Sequence, residues 1–166
     1  HIHDLAVDLA KPCVLINCRD EAMRLSSIAP DHRLIGQFAA QYLFDMGHRA
    51  VLNVMCLRRY TMDLRLAGIK EAWRMRNLHF TDGRDLLTVA SFSARDSEER
   101  VGEWLDARAG KSLPTAFLVG GDFMVAGTVS ALQKRGLRVP QDISVMSIDG
   151  FNLAAIQDVP LTAVHV

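Results

Sequence analysis

Gly136-Leu-Arg-Val-Pro-Gln-Asp-Ile-Ser-Val-Met-Ser-Ile-Asp149 is the stretch that decides the fold of this 166-residue chain. It predicts the end of a helix, a proline turn, and a strand over residues 143–148 that leads directly to the carboxylate of Asp149. A nearly continuous apolar strand is typical of a parallel sheet that is covered on both faces. Because open α/β sheets bind their ligands beyond the carboxyl ends of the strands, Asp149 is a candidate binding residue.

Predicted strands and helices alternate along the rest of the chain with a period of about 30 residues, which favours a parallel sheet covered by helices. The strands are predicted at residues 13–16, 50–55, 86–90, 115–119, 143–148 and 161–166, and the helices at 4–10, 31–46, 62–75, 94–109 and 122–135. Asp31 is expected to cap the second helix, and Gly47 to end it in a left-handed conformation. Residues 21–30 break the rhythm and are expected to cross between two lobes. The predicted fold class is therefore α/β, with a three-layer, mainly parallel sheet.

The composition is that of one ordinary globular domain, with 49% hydrophobic and 23% charged residues. Because 19 basic residues balance 19 acidic ones, the chain has no overall positive field that would favour nucleic acid. Cys13, Cys18 and Cys56 are odd in number and unpatterned, which suits reduced thiols in a cytoplasmic protein. The histidines do not cluster as metal ligands do, so we expect no metal and no cofactor. No apolar run is long enough for a membrane span.

Polar and aromatic side chains follow four of the predicted strands, and the carboxyl ends of parallel strands lie on one side of a sheet. The candidate ligand-binding residues are Arg59, Thr61, Arg65, Phe92, Asp122 and Asp149. A carboxylate accepts paired hydrogen bonds from vicinal hydroxyls or ring N–H groups, and an arginine donates two hydrogen bonds from one plane. Together with an aromatic stacking face, these groups predict a cleft for a small polar ligand such as a sugar or a nucleobase.

Each candidate also has a purely structural interpretation. Asp122 begins a predicted helix and is typical of an N-cap, whereas Arg65 is typical of an exposed salt bridge within a helix. Phe92 alone is typical of a core residue. Asp149 is harder to explain in this way, because an acid directly after a buried strand normally has a partner. His48 is expected to be a structural loop residue.

Sequence signatures of catalysis are missing. There is no Gly-x-Ser-x-Gly elbow, no Gly-x-x-x-x-Gly-Lys phosphate loop, and no Gly-x-Gly-x-x-Gly after a strand. A sugar- or nucleotide-modifying enzyme on a doubly wound sheet stays an alternative, but it requires a nucleophile or an acid–base pair at the strand ends. Only unpaired acids are found there, so we expect a binding protein and not an enzyme.

Five ordered motifs span nearly the whole chain from Pro12 onward. They are Asp31-x4-Gly36 with Tyr42-Leu-Phe-Asp-Met-Gly-His-Arg49, Arg65-Leu-Ala-Gly68, Pro114-Thr-Ala-Phe-Leu-Val-Gly-Gly-Asp122, Val139-Pro-Gln-Asp-Ile-Ser-Val-Met-Ser-Ile-Asp149 and Pro160-Leu-Thr-Ala-Val164. Together they resemble the effector-binding domain of the lactose/galactose-repressor (LacI/GalR) family of bacterial transcription regulators. One such motif is weak, but five in order are specific.

The resemblance implies a periplasmic-binding-protein-like type I fold, in which a small effector is held between two lobes. Residues 1–28 are then expected to be the end of the N-terminal lobe of the effector-binding domain. Residues 29–166 are expected to be its C-terminal lobe, with residues 161–166 crossing back. The chain is thus expected to hold mostly the C-terminal lobe.

The resemblance also implies roles for the candidate site. By position, Arg65 and Asp149 match residues that bind sugar in the lactose-type members. In the purine-repressor branch, the matching residues that hold a purine are Arg59, Thr61, Phe92 and Asp149. Gly121 stands where sugar-binding members often carry an asparagine. A sugar is the favoured effector, and a purine-like ligand stays the alternative.

The function that the resemblance implies is effector sensing, for a small sugar or related polar metabolite, within a cytoplasmic, homodimeric DNA-binding regulator. The family's helix-turn-helix is absent from this chain, so we expect operator DNA to be contacted only through that missing segment, and no membrane to be involved. The alternative is a periplasmic sugar-binding protein of a transport system, which shares the fold. An upstream signal peptide would favour that alternative, and an upstream helix-turn-helix would exclude it.

Overall fold

The computed structural model describes residues 7, 11–150 and 160–165. Within this part of the chain the strands are β1 (Val14–Ile16), β2 (Ser26–Ile28), β3 (Val51–Met55), β4 (Leu86–Thr88), β5 (Ala116–Val119), β6 (Ser144–Asp149) and β7 (Thr162–His165). The helices are α1 (His32–Asp45), α2 (Tyr60–Met75), α3 (Ala94–Asp106) and α4 (Asp122–Gln133). None of these helices is both long and apolar enough to cross a membrane.

A parallel sheet of five strands, in the order β4-β3-β5-β6-β7, forms the centre of the fold. Val54 of β3 pairs with Val119 of β5, which in turn pairs with Ser147 of β6. The carboxyl ends of these strands therefore lie side by side. Every residue of β3 and β5 is buried, as expected for parallel strands covered on both faces. Strands β1 and β2 form a separate two-stranded parallel sheet. The predicted fold class is confirmed.

Helices cover both faces of the five-stranded sheet. On one face, Phe44 of α1 and Trp73 of α2 pack edge to face with ring centroids 4.6 Å apart, in one cluster with Leu118 of β5. On the other face, Trp104 of α3 packs edge to face on Phe117 of β5 at 5.8 Å. Burying side chains of this size contributes about 1.5–3 kcal/mol each. The two apolar layers hold the strand ends, and hence the loops after them, in fixed positions.

Two glycines allow α1 and α2 to approach closely. A Cβ atom on Gly36 would lie 2.1 Å from the backbone oxygen of Arg65, and one on Gly68 would lie 1.8 Å from the backbone oxygen of Arg33. Both distances are far shorter than van der Waals contact, so any side chain at these positions would push the helices apart. The close approach holds the backbone of Arg65 directly against α1.

The predicted ends of the second helix are confirmed. The Asp31 side chain accepts a hydrogen bond from the backbone N–H of Leu34 at 2.9 Å, as an N-cap does. Gly47 has a φ of +97°, and the following N–H, from His48, donates to the carbonyl of Leu43 at 3.0 Å. The helix therefore ends in the left-handed turn that glycine favours.

Three predicted boundaries are corrected. Strand β2 was not predicted, because residues 21–30 were assigned only to a crossover, and its Ser-Ser-Ile sequence is short and exposed. Helix α2 begins at Tyr60, so Thr61 is helical and Arg59 is the N-cap residue. Asp149 is the last residue of β6, whereas it was predicted to follow the strand. The helix predicted at residues 4–10 lies outside the described residues, apart from Val7.

Helix α1 also has a row of exposed apolar side chains, on the side away from the buried face. Leu34, Phe38, Tyr42 and Met46 are 41–64% exposed and recur every four residues. The helix is therefore apolar over a wider arc than the one that packs on the sheet.

Candidate functional site

An arginine and a carboxylate meet at the carboxyl edge of the five-stranded sheet. One carboxylate oxygen of Asp149 lies 2.5 Å from a guanidinium nitrogen of Arg65. The Arg65 side chain is 3% exposed and that of Asp149 is 27% exposed. The guanidinium is therefore shielded from solvent, whereas the carboxylate is partly accessible. A buried cation requires compensating acceptors, and a second one is the carbonyl of Gly120, which accepts from Nη1 at 3.4 Å. The interpretation of Arg65 as an exposed salt-bridge residue is wrong.

His32 extends this pair into a longer chain of hydrogen bonds. It begins α1 and is 1% exposed. The Nε of Arg65 donates to Nδ1 of His32 at 3.3 Å, and Nε2 of His32 lies 2.6 Å from Oδ1 of Asn17. Because an arginine nitrogen only donates, Nδ1 of His32 must accept, and Nε2 must carry the proton and donate to Asn17. The neutral imidazole thus connects the residue after β1 to the buried guanidinium.

The surroundings of His32 favour this neutral form. Burial, followed by the neighbouring Arg65 cation, lowers the pKa of His32 below its ordinary value of 6.5. The carboxylates of Asp149 and Asp31 raise the pKa, but their effect is smaller. Protonation of Nδ1 would set two donors against each other, so the contact between His32 and Arg65 depends on the neutral imidazole.

Phe92, Arg59 and Gly121 lie beside the acid. The Arg59 guanidinium is 4.7 Å from the centroid of the Phe92 ring, within the range of a cation–π contact. A Cβ atom on Gly121 would lie 3.6 Å from Oδ2 of Asp149 and 3.6 Å from Cδ1 of Phe92. The ring and the carboxylate therefore flank the same glycine. Phe92 is half-buried and packs against the core, in line with its structural interpretation, and its role as a stacking face stays a prediction.

Thr61 and Asp122 occupy more internal positions. Thr61 is 4% exposed and lies one helical turn before Arg65 on α2, so both residues are on one face of the helix. Asp122 is 7% exposed, and one of its carboxylate oxygens accepts a hydrogen bond from the hydroxyl of Ser147. The other oxygen is buried and lacks a hydrogen-bond partner among the described residues. The N-cap of α4 is Gly121, and Asp122 makes no side-chain cap bond, so its interpretation as an N-cap is wrong.

The structural interpretation of His48 agrees with the structure. Its Nδ1 lies 2.8 Å from the hydroxyl of Thr115, which precedes β5, at the amino edge of the sheet. The side chain therefore lies at the edge opposite Asp149 and ties the turn after α1 to the start of a strand.

The arrangement suits binding of a hydroxyl-rich or N–H-bearing molecule. Asp149 offers a partly exposed anionic acceptor, Arg65 orients it, and Phe92 with Arg59 offers a ring face and a cationic donor. Asp149 also has a φ of +148°, a conformation that side-chain-bearing residues rarely adopt. Such backbone strain is concentrated at functional sites, where surrounding contacts compensate for it.

Sequence analysis missed His32 and Asn17. A signal for His32 was present: it lies four residues before Gly36 and seven before Ala39, on the face of α1 that is buried. A histidine on a buried helix face requires a polar partner. Nothing local to Asn17 indicated the contact, because it joins residues 15 positions apart in the chain.

Comparison with known proteins identifies the family. The model of the periplasmic binding protein-like domain matches residues 40–166. The chain belongs to this family. A helix-turn-helix-type transcriptional regulator of Streptomyces limosus is 32% identical over 156 residues, which cover 93% of this chain and 43% of the relative. The ribose operon repressor of Escherichia coli K12 is 31% identical over 142 residues, covering 84% of this chain and 42% of the relative.

A solved structure agrees with these sequence relatives. The LacI-type transcriptional regulator of Bacillus cereus subsp. cytotoxis superposes with a TM-score of 0.85 at 26% identity, covering 99% of this chain and 57% of that chain. The chain thus spans less than half the length of the curated relatives it matches and somewhat more than half of this structure.

The resemblance to the LacI/GalR effector-binding domain is confirmed by these matches. The family members found are transcriptional regulators, which are not enzymes, so the comparisons favour a sensing domain over a modifying enzyme. The comparisons also favour a sensing domain over a periplasmic sugar-binding protein of a transport system, which was the alternative in the sequence analysis. The individual ligand contacts and the division into lobes at residues 28 and 29 stay predictions.

Proposed function

We propose that this chain senses a small polar effector on behalf of a LacI-type transcriptional regulator, and that the effector binds against Asp149 and Arg65. The observation that carries the proposal is the ion pair between these two residues. A buried arginine contacts a partly exposed carboxylate at the carboxyl ends of the strands, where open α/β sheets bind their ligands. The regulator relatives support the sensing role.

The proposed roles follow from what each group can donate or accept. Asp149 accepts hydrogen bonds from hydroxyl or N–H groups of the effector, and Arg59 and Arg65 donate. Phe92 supplies the stacking face and Thr61 a further polar contact. Asp122 contributes indirectly, since its described contact is with Ser147 of β6 and it lies directly after Gly121.

A sugar is the favoured effector. Vicinal hydroxyls present two donors to one carboxylate, and the E. coli relative is the repressor of a ribose operon. A purine-like base is the second candidate. The observation that favours it is the Phe92 ring beside the Arg59 guanidinium, because a flat ring can stack there.

In the whole regulator, binding would change the relative populations of two arrangements of the lobes. The proposed lobes are residues 1–28 together with preceding chain, and residues 29–166, with residues 161–166 crossing back. The effector shifts the equilibrium by its difference in affinity for the two arrangements. We further propose a cytoplasmic homodimer that contacts operator DNA through a segment outside this chain. A monomeric mass in sedimentation equilibrium of the full-length protein would contradict the dimer.

The proposal is tested by ligand-induced thermal stabilisation of the full-length protein, screened with simple sugars and purine bases. A ligand at one hundred times its Kd stabilises the native state by about 2.7 kcal/mol, or about 5–10 °C in a domain of this size. Asp149→Ala should remove this shift. The matched control is Asp82→Ala, which removes another ion-paired carboxylate, 2.9 Å from Lys70 but outside the site.

Both variants must first show cooperative unfolding without ligand. A shift that is lost in Asp149→Ala and kept in Asp82→Ala supports the proposal. A shift of normal size in Asp149→Ala would show that the acid does not bind the effector.

A further inference from the structure

A second cavity lies at the opposite edge of the five-stranded sheet. Its volume is about 440 Å³, within the usual range for small-molecule sites. Its lining includes Val51 at the start of β3, Asp85 immediately before β4, and Pro114 shortly before β5. The cavity is thus at the amino ends of the strands. With strands of about 3.3 Å per residue, it is separated from the Arg65–Asp149 pair by roughly 15 Å.

The lining of this cavity is rich in arginine. Arg49, Arg84 and Arg108 line it against one aspartate, Asp85, among the described residues. Arg84 is paired with that aspartate, at 2.7 Å between guanidinium nitrogen and carboxylate oxygen. Two guanidinium groups therefore remain without a carboxylate in the cavity wall.

The described partners of those two groups are weak acceptors for a cation. Arg49 donates to the carbonyls of Phe44 and His48 at 2.8 and 2.9 Å. Arg108 stacks 4.1 Å from the centroid of the Trp104 ring and donates a long, 3.5 Å hydrogen bond to the carbonyl of Gly83. Each arginine is thus held in place without a carboxylate partner among the described residues, and its remaining N–H groups can donate to a ligand.

Two aromatic residues also line the cavity. Trp104 is 5% exposed, so only a small part of its ring can face the cavity. Trp73, a second aromatic ring, and the hydroxyl-bearing Ser112 line the same cavity. Two guanidinium groups and a hydroxyl in a cavity of this size match a small anionic molecule.

We propose that this cavity binds a phosphate monoester of a small metabolite, such as a sugar phosphate or a nucleoside monophosphate. The phosphate is held by Arg49 and Arg108, since a guanidinium donates two parallel hydrogen bonds to phosphate oxygens. The sugar or base occupies the rest of the cavity, whose lining includes Trp73, Trp104 and Ser112. The site is separate from the proposed effector cleft and does not depend on it.

Tryptophan provides a local signal for the test. Trp73 and Trp104 are the two tryptophans of the sequence, and both line the cavity. Ribose 5-phosphate, AMP, ribose and inorganic phosphate are titrated into full-length protein labelled with ¹⁵N at tryptophan, and the indole N–H resonances are followed. Trp104→Phe assigns the Trp104 signal. The phosphate esters should shift it saturably, and neutral ribose should not.

Arg49→Gln and Arg108→Gln should each weaken phosphate-ester binding about tenfold, because each removes a charge-assisted hydrogen bond. The matched control is Arg100→Gln, on the exposed side of α3, where the arginine pairs with Glu103. It should leave the affinity unchanged. Cooperative thermal unfolding of each variant confirms that it is folded. A similar loss of affinity in both cavity variants shows that the loss does not come from a folding defect in one of them.

The outcomes separate the two sites. Binding that survives Asp149→Asn but weakens in both arginine variants supports the cavity, whether or not the effector proposal holds. A response that Asp149→Asn abolishes would place the ester in the cleft and overturn the inference. Equal weakening in Arg100→Gln, or no saturable indole shift at millimolar ester, would overturn it as well. If only AMP or only ribose 5-phosphate binds, the result identifies whether the cavity accepts a nucleoside or a sugar attached to the phosphate.

Discussion

At the scale of single residues, the site depends on one buried arginine. Arg65 has three described acceptors on three different parts of the chain: Asp149, the carbonyl of Gly120, and His32. A guanidinium held by three acceptors has little freedom, and it therefore fixes the orientation of the carboxylate that faces the cleft. The effector would meet a preorganised acid, which lowers the entropic cost of binding.

The first prediction concerns the titration of His32. Its pKa is lower in the folded protein than its ordinary value of 6.5. Below pH 6.5 the unfolded chain therefore binds more protons than the folded one, and the free energy of unfolding rises with pH in that window. The stability that the neutral imidazole contributes is present above pH 6.5 and is lost as the pH falls. Urea unfolding from pH 7.5 to 5 should show this loss.

His32→Gln should flatten that pH dependence, because glutamine does not titrate. Burial also lowers the pKa of His48, so His48→Gln is the matched comparison and should remove only its own share of the dependence. If His32→Gln loses stability as steeply as the unaltered protein between pH 6.5 and 5, the neutral contact with Arg65 does not exist in solution.

Sequence reasoning reached part of this site. Asp149 was predicted because open α/β sheets bind ligands beyond the carboxyl ends of their strands, and because an acid after a buried strand normally has a partner. Arg65 was predicted as a candidate, but its burial was not, since the packing of α2 on α1 is a tertiary property. The contact of His32 with Asn17 was missed, because it joins the residue after β1 to the first residue of α1, 15 positions further along the chain.

At the scale of elements, the position of Arg65 depends on the contact between α1 and α2. Gly36 and Gly68 make that contact possible, as a Cβ on either would overlap a backbone oxygen of the facing helix. Gly68 is three residues from Arg65, so any separation of the helices would also move the guanidinium away from Asp149. The glycine of the Arg65-Leu-Ala-Gly68 motif thus has a packing role beside the arginine's role at the site.

Gly68→Ala should destabilise the protein by at least about 2 kcal/mol, because the added methyl has no space and the backbone must shift. Ala67→Ser, at the exposed neighbouring position, should cost only about 0.5 kcal/mol from helix propensity. Urea unfolding measures both. Equal losses in the two variants would mean that the helices are not in close contact at Gly68.

Element types were predictable where periodicity was strong and long. The apolar strands β3, β5 and β6, and the helices α2 and α4 that follow β3 and β5, occur in the predicted order with ends displaced by a few residues. Strand β2 was missed because three exposed residues, Ser26–Ile28, carry no alternation or burial pattern. It is a strand because it pairs with β1, and the sequence of residues 26–28 alone does not reveal that pairing.

At the scale of the whole molecule, the two edges of the sheet differ in chemistry. The carboxyl edge carries a paired acid and arginine with a neutral histidine, whereas the amino edge carries a cavity with two arginines that have no carboxylate partner in the described part of the chain. The equal numbers of acidic and basic residues in the sequence conceal this local difference. Overall charge therefore carries no information about local anion sites.

The central claim, that the effector binds at the Asp149 edge, is tested most directly by a crystal structure of the full-length protein with the sugar or purine that thermal screening identifies. The account predicts effector atoms within hydrogen-bond distance of the Asp149 carboxylate and the Arg65 guanidinium, with the Phe92 ring against the ligand. An effector bound elsewhere, for example in the cavity of Arg49 and Arg108, with the Arg65–Asp149 pair untouched, would contradict it.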